Sequence, residues 1–128
     1  MKRSHELTPL SKEHHQALVI SHKLLKLGLE KNRELEAYWL SVRDGLAKEL
    51  DLHFKEEEQW FGNVLKGVIA ERFFEDHDVL RKLLLSENRD DIILFASRLK
   101  AHVRFEEREL FNWLEVHHMA LLQKRCHP

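Results

Sequence analysis

The sequence predicts an all-α protein: an antiparallel up-down four-helix bundle with a short C-terminal tail helix. Three observations carry this. Only four Gly and two Pro occur in 128 residues, and the β-branched residues are scattered. Apolar residues recur at helical spacing along four segments. The breaks between those segments are short and polar, which favours antiparallel neighbours.

The first helix is predicted from Thr8 to about Gly28, with Thr8 as N-cap and Pro9 at the first helical position. A polar break, EKNRE, follows it. The second helix runs from about Glu34 to Gly62 on a seam of Trp39, Val42, Leu46, Leu50, His53, Glu57, Trp60 and Val64. The third is expected from about Val68 to Ser86, on Phe73, His77, Leu80 and Leu84, and ends in SENRDD. The fourth starts near Asp90, on Ile92, Phe95, Leu99, His102, Glu106, Leu110 and Trp113. A tail helix, VHHMALLQKR, follows. The chain, 1–128, reads as one domain, with the bundle at about 8–115 and the tail at 116–128.

Composition narrows the function classes. Apolar residues make up 43% and charged residues 34%, as in a soluble globular domain. A formal net charge of -1 gives no basic patch for nucleic acid. The apolar runs are too short to span a bilayer, and MKRSHELTPL lacks the apolar stretch of a signal peptide. Cys126, the one cysteine, cannot form an intrachain disulfide, so a reducing cytoplasm is the expected compartment. Histidine is the abundant residue, with ten copies. It is the commonest metal ligand.

HFKEEE at 53–58 and HVRFEE at 102–107 share the pattern His-x-x-x-Glu-Glu, 49 residues apart. Residues i and i+4 lie on one helix face. His53 with Glu57, and His102 with Glu106, therefore occupy seam positions where Leu or Val would be expected. A buried unpaired carboxylate is costly, so two of them need a neutralising partner. The third helix adds His77, and the first adds His14 and His15. These histidines lie roughly 6–7, 9, 9 and 12 residues from the relevant ends of their helices, which at about 1.5 Å per residue puts them in one layer. The same offset pairs Leu50 with Leu99, Phe61 with Leu110, Asn63 with Asn112 and Leu65 with Leu114. The chain thus reads as a duplicated helical hairpin, suited to two metal ions that each take two His and share Glu57 and Glu106. His14 and His15 compete for one place. The helical wheel slightly favours His14, whereas alignment with the third helix pairs His15 with His77.

KEHHQAL, HFKEE, EDHDVL and HVRFEERELF together resemble the hemerythrin-like, or HHE cation-binding, family over residues 8 to about 115. The resemblance implies a four-helix bundle around two non-haem iron ions, oxo- or hydroxo-bridged, although another divalent metal would suit the site. It implies the ligands His14 or His15, His53, Glu57, His77, His102 and Glu106. It also implies a small partner: dioxygen, nitric oxide or peroxide. Binding, sensing or scavenging such a ligand is the leading function. An enzyme of nitrosative or oxidative stress defence, including iron–sulfur cluster repair, and a metal-stabilised signalling bundle are the alternatives. In oxygen-carrying hemerythrins the third helix supplies two His four residues apart. Here the earlier position is Phe73, a departure that points away from a reversible carrier. Ferritin-like proteins need two Glu-x-x-His pairs inside the bundle; only Glu115 with His118 fits, in the tail.

Glu56, Glu58 and Glu107 rotate off the seams, and are expected either in solvent or bonded to imidazole N–H groups. Glu58→Ala is therefore not expected to reduce metal occupancy. His22 lies seven residues beyond His15, about 10.5 Å along the helix, too far to share its ion. His5, His117, His118 and His127 read as tail residues. Trp39, Trp60 and Trp113 read as core or core-rim aromatics.

Overall fold

The computed structural model describes residues 3–30 and 33–126, the side chains of 124–126 excepted. Among these residues the fold is all-helical and bundle-like, without a strand. The helices are α1 (Thr8–Leu29), α2 (Glu34–Phe61), α3 (Gly67–Leu83), α4 (Arg89–Phe105), α5 (Phe111–His117) and α6 (Met119–Cys126). A 3₁₀ turn, Gly62–Val64, follows α2, and a π turn, Glu106–Leu110, joins α4 to α5. α1 packs along α4 and α2, and α3 packs along α4. Among the described residues no helix is long and apolar enough to cross a membrane. Cys126 lies in α6, but its side chain, like all of His127, falls outside the described residues.

Local chemistry sets the boundaries. Pro9 sits in the first turn of α1, but Leu7, not Thr8, is the N-cap. The Thr8 hydroxyl instead donates to the Ser4 carbonyl at 2.8 Å, within a preceding turn that buries Leu7 completely. Gly67 opens α3 at φ 64°, a left-handed conformation that glycine adopts without steric cost. α3 stops at Leu83, three residues before the expected Ser86; Ser86 instead bonds Asp91 and accepts the Trp39 indole N–H at 2.9 Å. Asn88 caps α4 by accepting from the Asp90 and Asp91 amides at 2.8 and 3.3 Å. Asp90 and Asp91 also place negative charge at the positive end of the helix dipole.

Two apolar clusters fill the interior. One gathers Leu24, Trp39, Leu46, Leu50, Phe54, Phe95 and Leu99 among others. The other gathers Leu7, Leu10, Phe61, Phe73, Phe105, Phe111, Leu114 and Leu122. The predicted seams of the second and fourth helices are buried except at Val42 and at their C-terminal ends, where Trp60, Val64 and Trp113 are only partly covered. The π turn explains Trp113. A π turn takes i→i+5 bonds, here Phe111 N–H to the Glu106 carbonyl, so it holds more residues than an α turn. The phase of the helix shifts, and Phe111 and Leu114 point inward instead.

Candidate metal centre

His14, His53, Glu57, His77, His102 and Glu106 are all buried, in a slice of the core flanked by Phe54 and Leu50 on one side and Phe61, Phe73 and Phe111 on the other. α1 supplies His14, α2 supplies His53 and Glu57, α3 supplies His77, α4 supplies His102, and the π turn supplies Glu106. They form two groups. His14, His53, Glu57 and Glu106 make one; His77, His102, Glu57 and Glu106 make the other; within each group the potential ligand atoms lie within 4.8 Å of one another. His15 is exposed, so the choice at that position falls to His14. His5, His22 and His117 are exposed as well, and His118 packs its ring 4.7 Å from Trp113.

The inward atoms are short of partners. Both oxygens of Glu57, Glu106 Oε2, His77 Nε2 and His102 Nε2 are buried without a hydrogen bond. Several are nevertheless close in space. His77 Nε2 lies 3.3 Å from Glu57 Oε1, and His102 Nε2 lies 3.2 Å from Glu106 Oε1, without the angles of a hydrogen bond. Lone pairs that face each other in this way are the chemistry of a cation site, since orphaned buried polar atoms are otherwise expensive. The nitrogen and carboxylate donors suit iron, manganese or zinc rather than copper(I).

The outward nitrogens fix the tautomers. Each Nδ1 faces a carboxylate oxygen: His14 with Glu107 at 2.7 Å, His53 with Glu13 at 2.6 Å, His77 with Glu58 at 2.7 Å, and His102 with Asp76 at 2.9 Å. An Nδ1–H donated outward leaves Nε2 free to face a metal. Three of these carboxylates have arginines beside them. Arg81 donates to Glu58 at 3.0 Å, Arg3 lies 3.5 Å from Glu107, and Arg72 and Arg98 lie 3.7 and 3.9 Å from Asp76. Glu13 has no such cation among the described residues.

Glu58 and Glu107 are thus imidazole partners, whereas Glu56 makes no hydrogen bond or ion pair to the four rings among the described residues. Glu13 and Asp76 are the partners that sequence reasoning missed. Their signal was present: each directly precedes a site histidine, and each bonds the histidine of the next helix in the chain. Glu107 reaches His14 from the π turn as Glu58 reaches His77 from regular α2, each one residue past a buried glutamate. Comparison with family models, curated proteins and solved structures finds no match to this chain.

Electrostatics describe the centre when protons fill it. Burial alone would lower the pKa of His53, but the Glu57 charge, the nearby Glu106 carboxylate and the bond to Glu13 raise it to about 12. For His102 burial is likewise outweighed, by the Glu106 charge and the Asp76 bond, and the value rises to about 10. Burial opposes ionisation of Glu106, yet the His102 charge, the bond from His14 and the nearby His53 ring hold it well below the usual range. Without metal, protonated imidazoles therefore neutralise the buried carboxylates.

These shifts set a pH dependence. The His53 and His102 values lie above the unfolded value of about 6.5. Their contribution is fully present below about pH 6.5 and is lost as pH rises through the folded values. The melting temperature of metal-free protein should therefore fall between pH 6.5 and 10, whereas metal affinity should rise, because metal displaces those protons. Thermal melts and metal titrations across that range check both; a flat metal-free curve contradicts the charge assignment. The geometry also revises the expectation for Glu58. Glu58→Ala should weaken metal binding by roughly tenfold or more, since it frees the His77 ring and leaves Arg81 with Asp51 alone. Unchanged affinity in competition with a chelator would show that the bond to His77 does not orient the ligand.

Proposed function

We propose that this chain is a hemerythrin-like protein that holds two non-haem iron ions and binds, senses or scavenges a small ligand such as dioxygen, nitric oxide or peroxide. The carrying observation is that Glu57 and Glu106 belong to both four-residue groups, so two ions would share both carboxylates. In this reading α1–α4 form an antiparallel up-down bundle, with one imidazole from each helix meeting in a single slice. A cytoplasmic setting belongs to the same proposal and rests on the single cysteine.

Bound iron would supply a redox-active Lewis acid. The chain supplies the rest. Four imidazoles present Nε2 inward, and the outer carboxylates hold their orientation. Phe54 stacks on His77 with ring centroids 4.0 Å apart, and Phe111 stacks on His14 at 5.4 Å, so apolar walls limit water beside the ligands. Phe73 is fully buried with its ring 4.2 Å from that of His77. An apolar wall thus stands where a fifth imidazole would serve a reversible carrier. One fewer protein ligand leaves an additional position for exogenous molecules, which favours sensing, scavenging or redox chemistry.

Metal analysis of protein from iron-replete cells should give about two ions per chain, with both lost in part from Glu57→Ala and from Glu106→Ala. Fewer than about one ion per chain in the wild type, with no absorption from a bridged iron pair, would reject the reading. Air followed by vacuum should not restore the starting spectrum of the iron(II) protein. Phe73→His should move it toward reversibility; if oxidation is unchanged, access and not ligand number governs the chemistry.

A further inference from the structure

A cavity of about 280 Å³ lies against the centre, between α1, α2 and α4. Its walls are Ala17, Ile20, Leu46, Leu50, Leu99 and Val103, and His14, His53 and His102 also line it. A diatomic molecule needs far less room: one water's share of liquid volume is about 30 Å³, and an apolar cavity of about 150 Å³ accepts benzene. The space is therefore several times larger than the small ligands considered above require.

Charge narrows the occupant. Glu13, Glu49 and Glu56 border the cavity, and among the described residues no lysine or arginine lines it. An anion would pass these three carboxylates and exchange water for apolar walls before reaching the centre. A cation would have to enter apolar walls and approach a centre that already carries metal charge. Neutral molecules meet neither obstacle, and the apolar wall rewards burial of a hydrocarbon body. Of the four carboxylates behind the imidazoles, only Glu13 borders this cavity, and it is 46% exposed. The entrance is thus polar while the interior is not.

We propose that this cavity binds a neutral organic hydroperoxide, with its hydrocarbon body against Ala17, Leu46, Leu50 and Leu99 and its oxygen-bearing head toward His14 and His53. The identity of the head group rests on the metal-centre reading; the binding of the body does not. A neutral, non-oxidising probe of the same shape, 2-phenyl-2-propanol, separates the two. It should shift the methyl resonances of Ala17, Leu46 and Leu50 in both metal-free and zinc-loaded protein, at low temperature. Benzenesulfonate, of similar size but charged and weakly coordinating, should bind roughly tenfold or more weakly, because its charge must leave water for apolar walls beside three carboxylates. The double variant Glu49→Gln, Glu56→Gln changes only rim residues, and should narrow that difference. Ala17→Val should weaken the alcohol while metal content stays at the wild-type level.

No shift at those methyl groups up to the solubility limit of the alcohol overturns the proposal. So does equal or tighter binding of the sulfonate to the wild type. A protein that binds the alcohol in its cavity yet takes no metal rejects the metal-centre reading and leaves an apolar pocket. A protein that takes two ions and shows no methyl shift does the opposite.

Discussion

The structure depends on how two carboxylates are held in the middle of an apolar core. Glu57 and Glu106 are both fully buried, between clusters of Leu, Phe and Trp. Removing a carboxylate from water costs several kcal/mol even after relaxation. The cost is offset by charge alternation running outward from the centre. Carboxylates face imidazoles, the imidazoles face a second set of carboxylates, and three of that set face arginines. An ion in the centre would replace the protons that otherwise complete the inner layer.

The outer bonds also tie the helices together in order. Glu13 to His53 joins α1 to α2, Glu58 to His77 joins α2 to α3, Asp76 to His102 joins α3 to α4, and Glu107 to His14 closes the circuit from the π turn to α1. Each bond ties one helix to the next, so a slide or rotation of any helix would break two of them. The duplicated pattern in the sequence thus reaches beyond the inner ligands. The residue before a histidine on one helix, and the residue after a glutamate on another, play matching parts in both halves.

Much of this was legible in the residues. His53, Glu57, His102 and Glu106 stood out because polar groups occupied positions that helical spacing reserves for Leu, and burial at those positions has only a few chemical uses. His77 followed from depth along the helix. The choice of His14 over His15 needed coordinates, because the wheel and the internal alignment disagreed by one residue. Glu13 and Asp76 were harder to assign: each stands directly before a site histidine, but the ring it bonds lies on the next helix, which adjacency alone does not name. The winding after each glutamate was also hidden. The same offset of 49 residues leads into a tight 3₁₀ turn after α2 and a wide π turn after α4. Trp113 is a core-rim aromatic as expected, but Phe111, which the predicted seam passed over, faces the core after the change of pitch, and extrapolation along a regular helix carries no information about such a change.

The two apolar clusters are closed in different ways. Leu7 and Leu122, far apart in the chain, share one of them, and Arg3 grips Glu115 and Asn112 on the same side. The hollow next to Ala17, Leu46 and Leu50 lies in the other. Both ends of the described chain are therefore gathered at one pole, and the hollow is on the far side of the polar slice. Whatever enters the hollow therefore approaches the imidazoles from the face opposite the one that Arg3, Leu7 and Leu122 close.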